Sequence, residues 1–421
     1  MKNIGRYRWT ICSLLFFATT INYLDRAVIS LVKVKYLDPE FHWNKSDYAH
    51  LTVAFQLFYA LGMLGAGRLI DKLGTRIGYA LSLFLWSLSA MSHAFIRTMT
   101  QFFMVRAALG ITESGNFPAA IKSTAEWFPK RERALATGIF NSGANIGAII
   151  APLTVPYIAD RFGWRLWLIF WFIFYEVPNR QKRLEKKEYE YIHSDLDEKE
   201  TDQQADKGNV SWFRLLEFKQ TWAFVIGKFL TDGVWWFYLF WLPDFLKEQY
   251  NIQGTGAAFP VAIVYIVATF GSVFGGWLPL QMIRNGAPVF KARKSSMLVY
   301  AFCALPVIVS QTFGSYNMWF AVLIIGFAAA AHQAWSANIF TTVSDMFPKK
   351  TVGSVTGIGG MAGGIGGVLV SLLAGSVGDY YKSIGNVQKG YLILFICCGF
   401  AYIIAWLLMH VLVPRMKKVE L

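Results

Sequence analysis

Long apolar runs separated by short polar or basic segments dominate the chain, and their length decides the first question. A bilayer core about 30 Å thick takes about 20 apolar residues of helix at about 1.5 Å per residue. On that measure the 421 residues predict spans near 9–32, 48–70, 77–96, 99–121, 134–158, 166–176, 221–242, 257–281, 297–313, 317–343, 352–376 and 388–413. The expected fold class is an all-α membrane protein of twelve transmembrane helices. The sixth is unusually short. Only Leu166 to Tyr175 is apolar there, roughly 15 Å of helix, and extending it backwards meets Arg165, Arg161 and Asp160. The one long polar stretch, 177–220, contains NRQKRLEKKEYEYIHSDLDEKETDQQADKG, rich in both charge signs. It reads as a cytoplasmic linker with one surface helix, between a six-helix half at 1–176 and a second at 221–421.

Composition and charge narrow the class. With 55% hydrophobic and only 16% charged residues, a water-soluble fold is excluded. The formal charge of +14 would suggest nucleic acid in a soluble protein. Here the basic residues concentrate in alternate inter-span segments, roughly three to one, which places both termini in the cytoplasm and leaves no nucleic-acid footprint. The basic start, with Lys2, Arg6 and Arg8, also fits a signal peptide, but no small-residue cleavage site follows and the run continues through Asn22, Asp25 and Arg26. Cys12, Cys303, Cys397 and Cys398 sit inside apolar runs, so no disulfide or zinc framework is expected. His42, His50, His93, His193, His332 and His410 are scattered, so neither a metal, a cofactor nor a membrane-embedded enzyme is expected.

An internal repeat follows the spans. Phe128-Pro129-Lys130-Arg131 precedes Thr137-Gly138-Ile139, and 219 residues later Phe347-Pro348-Lys349-Lys350 precedes Thr356-Gly357-Ile358. Parallel six-span repeats, related by a pseudo-two-fold axis, are a transporter architecture with substrate at the midplane between the halves. The segment Gly67-Arg68-Leu69-Ile70-Asp71-Lys72-Leu73-Gly74-Thr75-Arg76 resembles the cytoplasmic loop signature of the major facilitator superfamily. Its two glycines permit close approach and a turn, Asp71 can face a neighbouring helix N-terminus, and basic residues such as Arg76 can pin helix ends. The corresponding loop, Gly275-Gly276-Trp277-Leu278-Pro279, lacks the acidic residue, which predicts a weaker latch there.

Charges inside apolar spans are costly and mark function more often than structure. Asp25-Arg26 lies in the outer half of the first span. Arg106 and Glu113, seven apart with Gly110 between, share a face of the fourth. Structural ion pairs locking helices together are the alternative. Lys228 and Asp232, spaced i, i+4 on the seventh span, read first as a structural or gating pair. With these charges the chain resembles the anion:cation symporter family, most closely its bacterial hexuronate transporters. The resemblance covers nearly the whole chain. It is carried by Ile21-Asn22-Tyr23-Leu24-Asp25-Arg26-Ala27, by Gln56 and Tyr59, and by the run from Arg106 through Gly110, Glu113, Asn116, Phe117, Pro118 and Ala119 to Glu126-Trp127-Phe128-Pro129. Asn141-Ser142-Gly143-Ala144-Asn145-Ile146-Gly147 and Trp235-Trp236-Phe237-Tyr238 complete it.

That resemblance implies proton-driven uptake of a small sugar acid across the bacterial inner membrane by a monomer. It implies that Arg26 binds the carboxylate, that Asp25 and Glu113 take the proton and that Arg106 tunes them. Electrostatics agree: the four charges sum to zero, and one anion with one proton keeps the sum at zero, so the loaded site crosses hydrocarbon cheaply. Tyr23, Gln56, Tyr59, Asn141, Asn145, His332, Ser336 and Asn338 are candidates for the hydroxyls and Trp235 for the sugar face. Helix–helix hydrogen bonding and aromatic packing are the other reading of each. The offset sets His332 opposite Glu113, so the second half is expected to lack a matching cation and carboxylate. The glycines from Gly359 to Gly367 predict close helix packing, since no Lys-Ser/Thr follows as a phosphate loop needs. Symport of an aldonate or glucarate, a paralogue that senses without transporting, and an ion channel remain the rivals.

Overall fold

In a computed structural model, residues 6–32, 45–158, 191, 211–252 and 255–420 are described. They form long helices: α1 (Tyr7–Val32), α2 (Lys45–Leu73), α3 (Thr75–Ser92), α4 (Met99–Glu113), α5 (Asn116–Trp127), α6 (Lys130–Ile158), α7 (Lys219–Tyr250), α8 (Thr255–Arg284), α9 (Val289–Ala304), α10 (Met318–Met346), α11 (Val352–Ser383) and α12 (Val387–Leu412). Every expected span but one falls on these helices, the fourth being divided between α4 and α5 and the ninth running from α9 through a 3-10 turn (Leu305–Val309) into a short helix (Ser310–Gly314). The expected short sixth span, at 166–176, lies outside the described residues, as does most of the linker. Among the described residues, six helical stretches are long and apolar enough to cross a membrane by length and composition: Val53–Leu73, Phe259–Arg284, Val289–Gly314, Met318–Met346, Lys349–Ser383 and Val387–Leu412. The charge-bearing helix α4 is not among them, because the break at Ser114-Gly115 leaves it only 15 residues long.

The expected fourth span is broken at Ser114-Gly115. Pro118 has no N–H to return to the Ser114 carbonyl, so the ladder fails one turn after Glu113. Gly115 then lets α3 approach so closely that a methyl there would fall on the Ser82 side chain. The break leaves Glu113 as the last residue of α4.

The two halves follow one plan. Both copies of the repeated motif end a helix in the same way: Phe128 and Phe347 are extended and donate to Thr124 and Val343 carbonyls at 3.0 and 2.9 Å. Two helix seams join the halves. In one, Gly67 and Met63 of α2 lie against Gly353 and Gly357 of α11; in the other, Gly276 and Ser272 of α8 lie against Ala134 and Gly138 of α6. Positions 219 residues apart thus occupy equivalent places in the two seams. Small residues are what such seams require, because in lipid the helices are held by close backbone packing.

The same physics explains the glycines of α11, where an unbroken helix replaces any loop. Gly359, Gly363 and Gly366 face Phe224, Asp232 and Phe229 of α7, while Gly353, Gly357, Gly360 and Gly364 face α2. Gly275 to Pro279 is likewise helical, inside α8. The loop lies beyond it, where Gly286 has φ 91°, as Gly74 with φ 79° does after α2. The linker's Tyr191 sits on the first half. Its hydroxyl donates to Glu132, which Arg8 pairs at 2.9 Å, and the Arg8 and Arg131 guanidiniums lie 4.9 and 4.3 Å over its ring.

Candidate functional site

A central cavity of about 620 Å³, mouth included, opens between the halves. Its walls come from α1, α2, α6, α7, α10 and α11, and Phe117 of α5 stacks on Phe340 of α10 at 5.5 Å to form its floor. The floor lies toward the end of the bundle that carries Gly74, Lys130 and Lys349, called here the basic-loop end.

Arg26 occupies the first-half wall. Its Nε donates to Glu113 Oε2 at 2.7 Å, and its guanidinium lies 4.3 Å from the Tyr59 ring, 4.7 Å from Tyr23 and 5.4 Å from Phe55. Aromatic faces hold a delocalised cation without neutralising it. Nη2 of Arg26 and Oε1 of Glu113 have no hydrogen-bond partner among the described residues. Gly110 is the reason α4 can bring Glu113 here: a side chain at 110 would strike the α2 backbone at Phe55 and Tyr59. Arg106 packs over the Phe55 ring at 5.2 Å, and Asp25 accepts from Trp86 Nε1 at 3.1 Å; neither lines the cavity.

The second-half wall holds Lys228 and Asp232, 2.6 Å apart, with the ammonium 4.0 Å from the Phe340 ring. No cation or carboxylate stands at the positions 219 residues on from Arg106 and Glu113; the charges of this wall come instead from α7, as the pair noted on the seventh span. Trp235 and Trp236 line the same wall, and His332 stacks on Trp235 at 5.0 Å while its Nδ1 meets the Tyr402 hydroxyl at 2.8 Å. Between the walls, Asn141 Nδ2 donates to Gln333 Oε1 at 2.8 Å and Gln333 Nε2 to Asn145 Oδ1 at 3.2 Å. Gln333 is thus a polar group of the cavity that the sequence reading missed.

Of the remaining candidates, Ser336 lines the cavity. Asn338 does not; its amide donates to the Gly275 carbonyl at 2.6 Å and holds α10 to α8. Gln56 also lies outside the lining.

Both seams are latched at the basic-loop end. Asp71 Oδ1 and Oδ2 accept from the backbone N–H of Gly353 and Ser354 at 3.1 and 2.6 Å, capping α11 from the other half, and Lys122 pairs with Asp71 at 2.9 Å. Arg76 is at the second position of α3, half-buried. The other latch has its own acid, Asp345, in place of the one missing from α8. Arg293 Nε pairs with it at 3.1 Å and Arg133 Nη1 at 3.8 Å. Arg133 also donates to the Ser344 carbonyl at 2.7 Å, and Arg293 to the Lys130 carbonyl at 2.6 Å, each reaching the opposite half. The weaker latch expected from sequence is therefore a full ion-pair network. None of Arg133, Arg293 and Asp345 stood out in the sequence, where the comparison of loops looked only at α8.

A family profile described as Major Facilitator Superfamily matches residues 15–371. The chain belongs to the Major Facilitator Superfamily. Among relatives of this superfamily member, the hexuronate transporter of Escherichia coli K12 is 28% identical over 392 residues, 90% of this chain and 89% of that one. The D-galactonate transporter of Escherichia coli O6:H1 is 25% identical over 394 residues, 90% of each. The proton:xylose symporter XylE, solved with 6-bromo-6-deoxy-D-glucose, shares the fold with a TM-score of 0.75 at 16% identity, over 98% of both chains. The protein is a multi-pass membrane transporter and not an enzyme.

Proposed function

We propose that this transporter is a proton-coupled symporter that imports a sugar acid, specifically a hexuronate such as glucuronate or galacturonate, by alternating access. The observation that carries the reading is Arg26: a guanidinium held in an aromatic cage on the cavity wall, paired at one edge with Glu113 and unpartnered at Nη2. Its planar fork matches a carboxylate. An incoming carboxylate competes with Glu113 for the same cation, and the displaced glutamate, buried and stripped of its partner, takes a proton. Anion and proton then travel together because the site is neutral with both or with neither, and charged with one alone. Asp25 and Arg106 are the second acid and the second cation of the first half, both set back from the cavity.

Trp235, Tyr23, Tyr59, Asn141 and Ser336 suit a hydroxylated ring. The hexuronate and D-galactonate transporters among the relatives support a sugar acid in general, and the hexuronate over the aldonate rests on the motif resemblance. The basic segments place both termini and both latches on the cytoplasmic side of a bacterial inner membrane, so the closed end of the cavity is the cytoplasmic one. The functional halves are 1–176 and 221–421, joined by 177–220.

Uptake of labelled glucuronate and galacturonate into proteoliposomes tests the reading. An inward proton gradient is expected to drive accumulation above the external concentration. Equilibration that ignores the gradient would remove the coupling, and binding without any flux would favour a sensor.

A further inference from the structure

The two ion pairs of the cavity are turned opposite ways. On the first-half wall the cation faces the cavity, with 14% of the Arg26 side chain exposed, and its carboxylate is hidden behind, with 0% of Glu113 exposed. On the second-half wall both partners line the cavity, but the carboxylate is the more open of the two: 19% of the Asp232 side chain is exposed and 5% of Lys228. Asp232 is set there by its neighbours. Lys228 lies one turn back on the same helix, and Gly363 of α11 leaves the carboxylate room, since a methyl at 363 would occupy its place. Trp236, one turn further on, lines the cavity beside it.

We propose that this polarity selects the substrate class: the cavity accepts polyhydroxy acids with one carboxylate and rejects those with two, and Asp232 is the residue that rejects them. The inference rests on the sugar-acid reading above. A carboxylate bound at Arg26 sends the other end of a six-carbon acid toward the α7 wall. There Asp232 can accept hydrogen bonds from hydroxyls, and the Lys228 ammonium 2.6 Å from it offers donors to the same hydroxyls. A second carboxylate at that end can donate nothing and meets a like charge in a site shielded from water, where such repulsion is strong. A ring hydroxyl or a terminal CH2OH fits; an aldarate does not. The Lys228–Asp232 pair, read from sequence as a strut or gate, then acts as the far-end subsite.

Equilibrium binding of glucuronate, gluconate and glucarate to the purified protein, at a pH where every carboxyl is ionised, separates the outcomes. The wild type is expected to bind glucuronate or gluconate at least tenfold more tightly than glucarate. Asp232→Asn should shift the glucarate-to-glucuronate affinity ratio at least tenfold toward the diacid, and Asp232→Glu should restore the original order. A strut would lower all three affinities together, so an unchanged ratio in a folded Asp232→Asn protein overturns the proposal. Wild-type protein that binds glucarate as tightly as glucuronate overturns it without any variant, and leaves sugar-acid transport standing. Binding of none of the three overturns the sugar-acid reading itself, and this inference with it.

Discussion

Arg26 and Glu113 concentrate the chemistry at the residue scale. Arg26→Lys keeps the charge but loses the flat fork and the stacking on Tyr59, so substrate affinity is expected to fall by about 2 kcal/mol, roughly thirtyfold, with little change in melting temperature. Calorimetric titration and a thermal melt check both halves of that statement. Glu113→Gln imitates the protonated acid. It should still exchange labelled for unlabelled substrate across the membrane, while accumulation driven by a proton gradient disappears; retained accumulation would move the coupling to Asp25. These two residues were legible in the sequence because a charge inside an apolar run stands out whatever it touches. Uncharged polar residues carry no such signal. Ser336 and Asn338 are two positions apart, which turns them about 200° on a helix, so one faces the cavity and the other the α8 backbone. Neither residue type says which, and Gln333 escaped notice for the same reason.

At the scale of the element, the seams between α2 and α11 and between α6 and α8 depend on absent side chains. Gly67→Val places a branched group on the Gly353 carbonyl, and the helices cannot yield without parting. The variant is expected to favour a conformation opened at the basic-loop end. A cysteine at Thr137, buried beside the other seam against Thr341 of α10, should then react with a soluble thiol reagent several-fold faster than in the parent, both in a Cys397→Ser background. Unchanged labelling would mean that the two seams move independently. The helices were legible because length and hydropathy fix them, and the break before Asn116 was missed because apolar periodicity runs through it. Pro118 was in view, but one proline in a membrane span kinks as often as it breaks.

Across the whole molecule, the Phe-Pro repeat foretold the pseudo-symmetry, yet the charges do not obey it. The latch acid sits on α2 in one half and on α10 in the other, so comparing equivalent positions finds an absence where the structure has a replacement. Asp345 faces Arg133 and Arg293, both fully buried. Asp345→Asn would remove the carboxylate that two interior guanidiniums share, an expected loss of about 3–5 kcal/mol that should appear as a large drop in melting temperature. Asp71→Asn removes one partner of a single lysine and should cost less than half as much. Equal losses would show that the two latches share the load evenly.

The Asp71 latch has a further property. Its acceptor is a side chain, but its donors are main-chain N–H groups that every residue except proline possesses. Genetic change can therefore reach the contact from one side only. A scan of all substitutions should find position 71 intolerant and position 354 permissive to small residues, with Gly353 constrained by size alone. Second-site revertants of an Asp71 loss cannot come from swapping a partner charge on α11, because no such charge exists. They should arise instead at positions that weaken the opposite face of the cycle, restoring the balance between the two conformations rather than the bond.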